Sequence, residues 1–202
     1  LDTTNNDSGL LILSRLPGVA SSRLIFYRQG LYKPIFNDGE RLAKKSILLA
    51  SIIHPMLGEV VLATTHLASN HFKKRRTYAA LRRSQLLEAL DVVLSINKPV
   101  IFGGDLNFSP TGTGMSDDDN WKILSHRLSH YSEAAYDKNQ VCTFCPPNGF
   151  VDQNEGKLDH LFGSPHFTAH NAGLAMTETF QAGKRQINFS DHFGWQTEFV
   201  GK

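Results

Sequence analysis

Four short segments carry side chains able to act on a polar, anionic group. Ala63-Thr-Thr-His-Leu67 places His66 after a β-branched run. Phe102-Gly-Gly-Asp-Leu-Asn-Phe-Ser-Pro110 holds Asp105 and Asn107. Lys157-Leu-Asp-His-Leu-Phe162 holds Asp159, and Phe189-Ser-Asp-His-Phe-Gly-Trp195 holds Asp191 and His192. Carboxylates hold a hard cation, an imidazole moves a proton near neutral pH, and a side-chain amide donates to a developing oxyanion. Together these types suit metal-assisted hydrolysis. Taken one at a time each has a plainer reading. A histidine at a strand end is commonly a hydrogen-bonded structural residue, and Gly-Asp-x-Asn is also turn composition. Asp191-His192 could cap a helix or form a surface pair, and Asp159 could be a solvated strand residue. Their joint occurrence at expected strand ends points to chemistry.

The elements that must position these residues can be read from periodicity. Leu10–Leu13 reads as a buried strand ended by Pro17-Gly18, and Ser22–Arg28 as a second strand. Ser46–Ile53 and Glu59–Thr65 are apolar and β-branched, joined by a hairpin turn at His54-Pro-Met-Leu-Gly58. A long helix is expected over Lys73–Ser95, with Leu86, Leu87, Leu90, Val93 and Leu94 on its apolar face and Arg75, Arg76, Arg82, Arg83 and Glu88 elsewhere. Val100–Phe102 is a short buried strand, and Asn120 is placed to cap a helix running to Leu128. Lys157–Phe162 and His192–Val200 read as further strands, and the polar, Gly-rich stretch Ser109–Asp119 as a loop. Strands in hairpins mixed with helices imply a layered α/β architecture.

Composition bounds the function. The 202 residues are 41% apolar, enough to bury a core in one domain. Lys+Arg of 21 against Asp+Glu of 19 leaves +2, which excludes a strongly basic nucleic-acid arm or an acidic tail as the main theme. No apolar run approaches the ~20 residues of a transmembrane helix. The basic run Lys73-Lys-Arg-Arg76 is either a solvated helix start or a phosphate-steering patch. Cys142 and Cys145 lack the second ligand pair of a zinc site, and Pro146-Pro147 argues against a redox helix. They read as ordinary thiols or an incidental local disulfide.

His66 in Thr-His-Leu, Gly104-Asp-Leu-Asn107, Leu158-Asp159 and Ser190-Asp191-His192 together resemble the motifs of the deoxyribonuclease I-like endonuclease/exonuclease/phosphatase superfamily. Ser8-Gly-Leu-Leu-Ile-Leu-Ser-Arg15 and the helix carrying Arg82-Arg-Ser-Gln85 resemble its neutral sphingomyelinase branch, and the Thr-His-Leu and Ser-Asp-His contexts also resemble tyrosyl-DNA phosphodiesterases. The resemblance implies a four-layer α/β sandwich, two packed mixed β-sheets flanked by helices, spanning 1–202 as one domain. It implies a phosphodiesterase using Mg²⁺ or Mn²⁺ and an activated water. In that scheme His192 is the base or a phosphate ligand, oriented by Asp159. Asp105 positions the water, Asn107 stabilises the pentacovalent transition state, His66 contacts phosphate or the leaving oxygen, and Asp191 binds the metal. Arg15 and Lys44 would contact substrate, Lys44 within the lysine-bearing stretch Glu40–Lys45. The family also keeps an Asn and a metal-binding Glu on strands before the Ser-Gly-Leu strand. Neither has a match here, so a domain lacking its N-terminal strands is expected. The implied substrate is a lipid headgroup or a nucleic acid, with peripheral membrane contact in the lipid case. The rival expectation is a binding module that has lost its metal site.

Overall fold

The computed structural model describes residues 9–26, 44–69, 75–109, 118–133, 141–152 and 156–202. Contacts divide the chain into two compact units, Leu1–Asn107 and Phe108–Lys202.

The first unit is built on the expected hairpin. β2 (Ser46–His54) and β3 (Gly58–His66) pair antiparallel, with Ile47 opposite Thr65. His54 Nδ1 accepts the turn N–H groups of Met56 and Leu57 at 3.3 and 3.2 Å, and Gly58 takes φ 71°, which costs glycine little. β1 (Gly18–Ile25) pairs antiparallel with β2, and β4 (Val100–Asp105) runs parallel to β3. A parallel pair needs a crossover. It is α1 (Arg75–Leu94). Its buried residues Tyr78, Leu81, Arg82, Gln85, Leu86, Ala89, Leu90 and Val93 recur every three to four positions.

Three sequence expectations are corrected here. Leu10–Leu13 forms no strand, and Leu11 and Leu13 are 71% and 83% exposed. The Ser14 hydroxyl accepts the Leu16 N–H at 2.9 Å, and this local turn competes with extension. The next strand begins at Gly18, ahead of Ser22. Arg82, assigned to the polar side of the helix, is only 1% exposed and belongs to its buried stripe. Of Arg75 and Arg76 only the helical backbone is described, and Lys73 and Lys74 lie outside the described residues.

The second unit holds α2 (Asp118–Arg127), β5 (Ser132–Glu133), β6 (Asp159–Gly163), β7 (Phe167–Ala175), β8 (Thr179–Ala182), β9 (Arg185–Asn188) and β10 (Gly194–Gly201). α2 starts two residues before Asn120, which is fully buried in the first turn instead of capping it. β5 pairs with β6, β7 with β10 and β8 with β9, all antiparallel. β10 packs across β6: a Cβ on Gly163 would press into the Phe199 ring. β7, β8 and β9 were not legible in sequence. β8 is exposed along its length and β7 mixes polar and apolar positions, so neither shows a clean alternation.

Candidate active site

In the first unit the parallel register of β3 and β4 sets His66 beside Asp105 at the shared carboxyl end of the strands, where open α/β sheets bind ligands. Gly104 lies opposite Thr65 with φ 136°, and a Cβ there would collide with the Thr65 carbonyl. The close strand approach thus requires a glycine at 104, just before Asp105. Asp105 Oδ2 lies 3.3 Å from His66 Nε2. Asp105 Oδ1 accepts the Asn107 N–H at 2.8 Å, and Asn107 sits at φ 55°, a left-handed conformation this residue type tolerates. The Asn107 amide donates to the Leu67 carbonyl at 2.9 Å and to Asp105 Oδ2 at 3.2 Å.

The backbone that carries His66 is gripped one group at a time. The Leu67 N–H donates to the Asp105 carbonyl at 3.0 Å. The Ala68 N–H donates to Gln85 Oε1 at 2.9 Å, and the Ala68 carbonyl accepts from Arg82 at 3.2 Å. These bonds are why two polar residues of α1 are buried.

The second unit brings Asp159, at the start of β6, to His192, just before β10. Asp159 Oδ2 and His192 Nδ1 lie 2.7 Å apart, and each side chain is about a fifth exposed. An ionised carboxylate only accepts, so Nδ1 carries the proton and Nε2 is the basic nitrogen. Ser190 supports the turn: its hydroxyl accepts the His192 N–H at 3.1 Å and donates to Asp191 at 3.2 Å.

Beneath Asp159 lies a charged cluster that sequence reading missed. The fully buried Lys157 and His160 both reach Glu133 Oε1 at 3.2 Å, and Lys157 Nζ stands 4.3 Å from the Trp195 ring centre. Burial pulls the Lys157 ammonium below its ordinary value, partly offset by the negative charges of Glu133 and Asp159. Burial alone would raise the Glu133 carboxyl. The hydrogen bond and charge of His160, with Lys157, hold it below the ordinary value. The one signal in sequence was Lys157 and His160 flanking Asp159.

The predicted site residues thus form two sets, His66–Asp105–Asn107 and Asp159–His192. The antiparallel register that sets Ile47 opposite Thr65 brings Lys44 to the His66 end of its sheet. Arg15 precedes β1 near Ile53, at the other end. Asp191 is exposed beside His192. Among the described residues no three His, Cys, Asp or Glu side chains gather to hold a metal. A closed all-protein cage is therefore not formed by them. The lone exposed carboxylate of Asp191 fits an ion such as Mg²⁺ that keeps most of its waters and shares substrate oxygens.

The fold is the α/β sandwich expected from the motifs. A structure of an endonuclease/exonuclease/phosphatase from Beutenbergia cavernae matches 93% of this chain at TM-score 0.66 and 18% identity. Staphylococcus aureus beta toxin matches 92% at 0.67 and 18% identity, and truncated Caenorhabditis elegans TDP2 matches 92% at 0.63 and 17%. The chain spans 46%, 65% and 67% of those proteins respectively. No curated protein matches the chain in sequence. The chain belongs to the Endonuclease/Exonuclease/phosphatase family, whose model matches residues 1–192. That family comprises hydrolases, phosphodiesterases among them.

Proposed function

We propose that the chain is a Mg²⁺-dependent phosphodiesterase in which His192 activates water, and that its substrate is a phospholipid headgroup of the sphingomyelin type. The Asp159–His192 pair carries the reading. A 2.7 Å bond to Nδ1 fixes the tautomer and leaves Nε2 to take the water's proton as oxygen attacks phosphorus. Asp105 orients the water, and His66 protonates or hydrogen-bonds the departing alkoxide. Asn107 can donate to a phosphoryl oxygen only by giving up its longer bond, that to Asp105. Lys44 contacts the substrate phosphate. Mg²⁺, held through Asp191, would supply charge neutralisation on the phosphate. The family likeness includes a mutant of the Staphylococcus aureus beta toxin with bound magnesium ions.

The lipid choice rests on the β8–β9 hairpin. Phe180 and Phe189 lie 5.0 Å apart and are 39% and 68% exposed, and Met176, Lys184 and Arg185 of the same stretch of chain are exposed as well. Apolar rings flanked by cations suit a bilayer surface, and a net charge of +2 offers little for long duplexes. Among the described residues no helix is long and apolar enough to cross a membrane. Turnover of sphingomyelin vesicles, nicked DNA and a 5′-tyrosyl oligonucleotide with Mg²⁺ tests the choice. Cleavage of DNA with sphingomyelin inert would reassign the protein to the nuclease or DNA-end-processing branch, and inertness toward all three would favour the non-catalytic module.

A further inference from the structure

The Cys142–Cys145 pair is joined as a disulfide. The two residues inside it touch both halves of the Asp159–His192 pair. Thr143 is fully buried. Its hydroxyl oxygen accepts the Leu158 N–H at 2.9 Å and the Asp159 N–H at 3.3 Å. Its carbonyl accepts the Phe193 N–H at 2.8 Å, and its own N–H donates to the Gly156 carbonyl at 3.1 Å. One residue therefore ties the backbone of Asp159 to the backbone next to His192. Phe144 adds a ring 4.8 Å from the His192 ring, tilted by 53°, and its N–H also donates to the Gly156 carbonyl, at 3.1 Å.

These contacts differ in kind from core packing. Three backbone N–H groups at or beside the two side chains are satisfied by a single threonine, and the imidazole packs against the tilted ring of the next residue. Asp159 and His192 come from segments 33 positions apart. Their 2.7 Å separation needs both backbones held, because a shift of about 1 Å in such a pair costs orders of magnitude in rate. The covalent link closes the short loop that holds Thr143 and Phe144, so their conformational freedom is small.

We infer that Thr143 and Phe144, presented by the Cys142–Cys145 loop, are positioning residues that set the geometry of the Asp159–His192 pair. The inference rests on the proposed phosphodiesterase reading for its kinetic consequence, but not for its geometry. It also gives the disulfide a function: reduction loosens the pair. A trialkylphosphine breaks the sulfur–sulfur bond, giving two electrons while water supplies two protons and one oxygen. Two thiols and the phosphine oxide result.

The test compares Thr143→Val, which keeps the shape and removes the acceptor, with Thr143→Ser, which keeps the acceptor. One readout is kcat and KM on sphingomyelin vesicles and on bis(4-nitrophenyl) phosphate with Mg²⁺. The other, independent of activity, is the proton NMR line of His192 Nδ1–H, assigned by its loss in Asp159→Asn. Thr143→Val is expected to lower kcat roughly tenfold or more with KM within about twofold, and to shift or broaden the line. Thr143→Ser is expected to restore both. Phosphine treatment of the wild type is expected to lower kcat and broaden the same line. A folded Thr143→Val protein with wild-type kcat and an unmoved line overturns the inference. Phosphine treatment that leaves both unchanged overturns the role of the disulfide. A wild type inert toward every phosphodiester defeats the functional reading, while the NMR line still decides the positioning claim.

Discussion

Replacing Asp159 with Asn keeps the shape of the side chain and removes its charge. In the wild type Nδ1–H donates to Oδ2 at 2.7 Å, with both groups about a fifth exposed. A charge-assisted bond in that setting is worth about 1.5–3 kcal/mol net. If that worth is gained as the ring takes the water's proton and becomes an imidazolium facing the carboxylate, all of it appears in kcat. At ~1.4 kcal/mol per decade the loss is about 10- to 150-fold. Asparagine can also turn its NH₂ toward the ring, forcing the proton to Nε2 and removing the base, so the upper part of that range is expected. Initial rates on bis(4-nitrophenyl) phosphate at saturating Mg²⁺, with thermal melting as a folding control, measure the effect. A folded Asp159→Asn protein within about threefold of wild type, below the smallest loss estimated from the bond, would refute the assignment of His192 as an Asp159-oriented base.

Four further outcomes follow from the geometry. Glu133→Leu removes the carboxylate paired with the fully buried Lys157 and should cost about 3 kcal/mol in urea unfolding, most of it regained in Glu133→Leu with Lys157→Met. The Glu133 carboxyl is held below its ordinary 4.5, so its stabilising contribution is full above that value and is lost as pH falls through the lower folded value. Acid unfolding curves of the wild type should show this limb and those of Glu133→Leu should not. Lys157 is also depressed, so the folded state resists its charge, and stability should rise as pH climbs toward 10.5. Gly104→Ala meets the Thr65 carbonyl at a φ of 136°, and should lose at least ~2 kcal/mol by thermal or denaturant melting.

The sequence made the motif residues legible because each belongs to a short local pattern with its own turn chemistry. His66, Asp105 and Asn107 lie at the ends of β3 and β4, where the β-branched run and Gly-Gly-Asp lead, and Asp159 and His192 lie within hydrogen-bond distance. The long helix and the β2–β3 hairpin were legible for the same reason, since their periodicity is local. What stayed hidden depends on distant partners. Arg82 and Gln85 look like surface residues until the Ala68 peptide needs a donor and an acceptor. Glu133 becomes meaningful only when Lys157 and His160, more than twenty positions away, turn onto it. Thr143 sits in a cysteine pair whose sequence pointed nowhere, and its role appears only when β6 and the approach to β10 reach it. Leu10–Leu13 misled because apolar content alone does not provide a pairing partner.

The central claim is that this chain hydrolyses a phosphodiester through His192. The most direct measurement is choline-phosphate release from sphingomyelin vesicles with Mg²⁺, run beside a folded His192→Ala variant. Release by the wild type and its loss by several orders of magnitude in the variant is the expected result. Equal rates in the two proteins would contradict it.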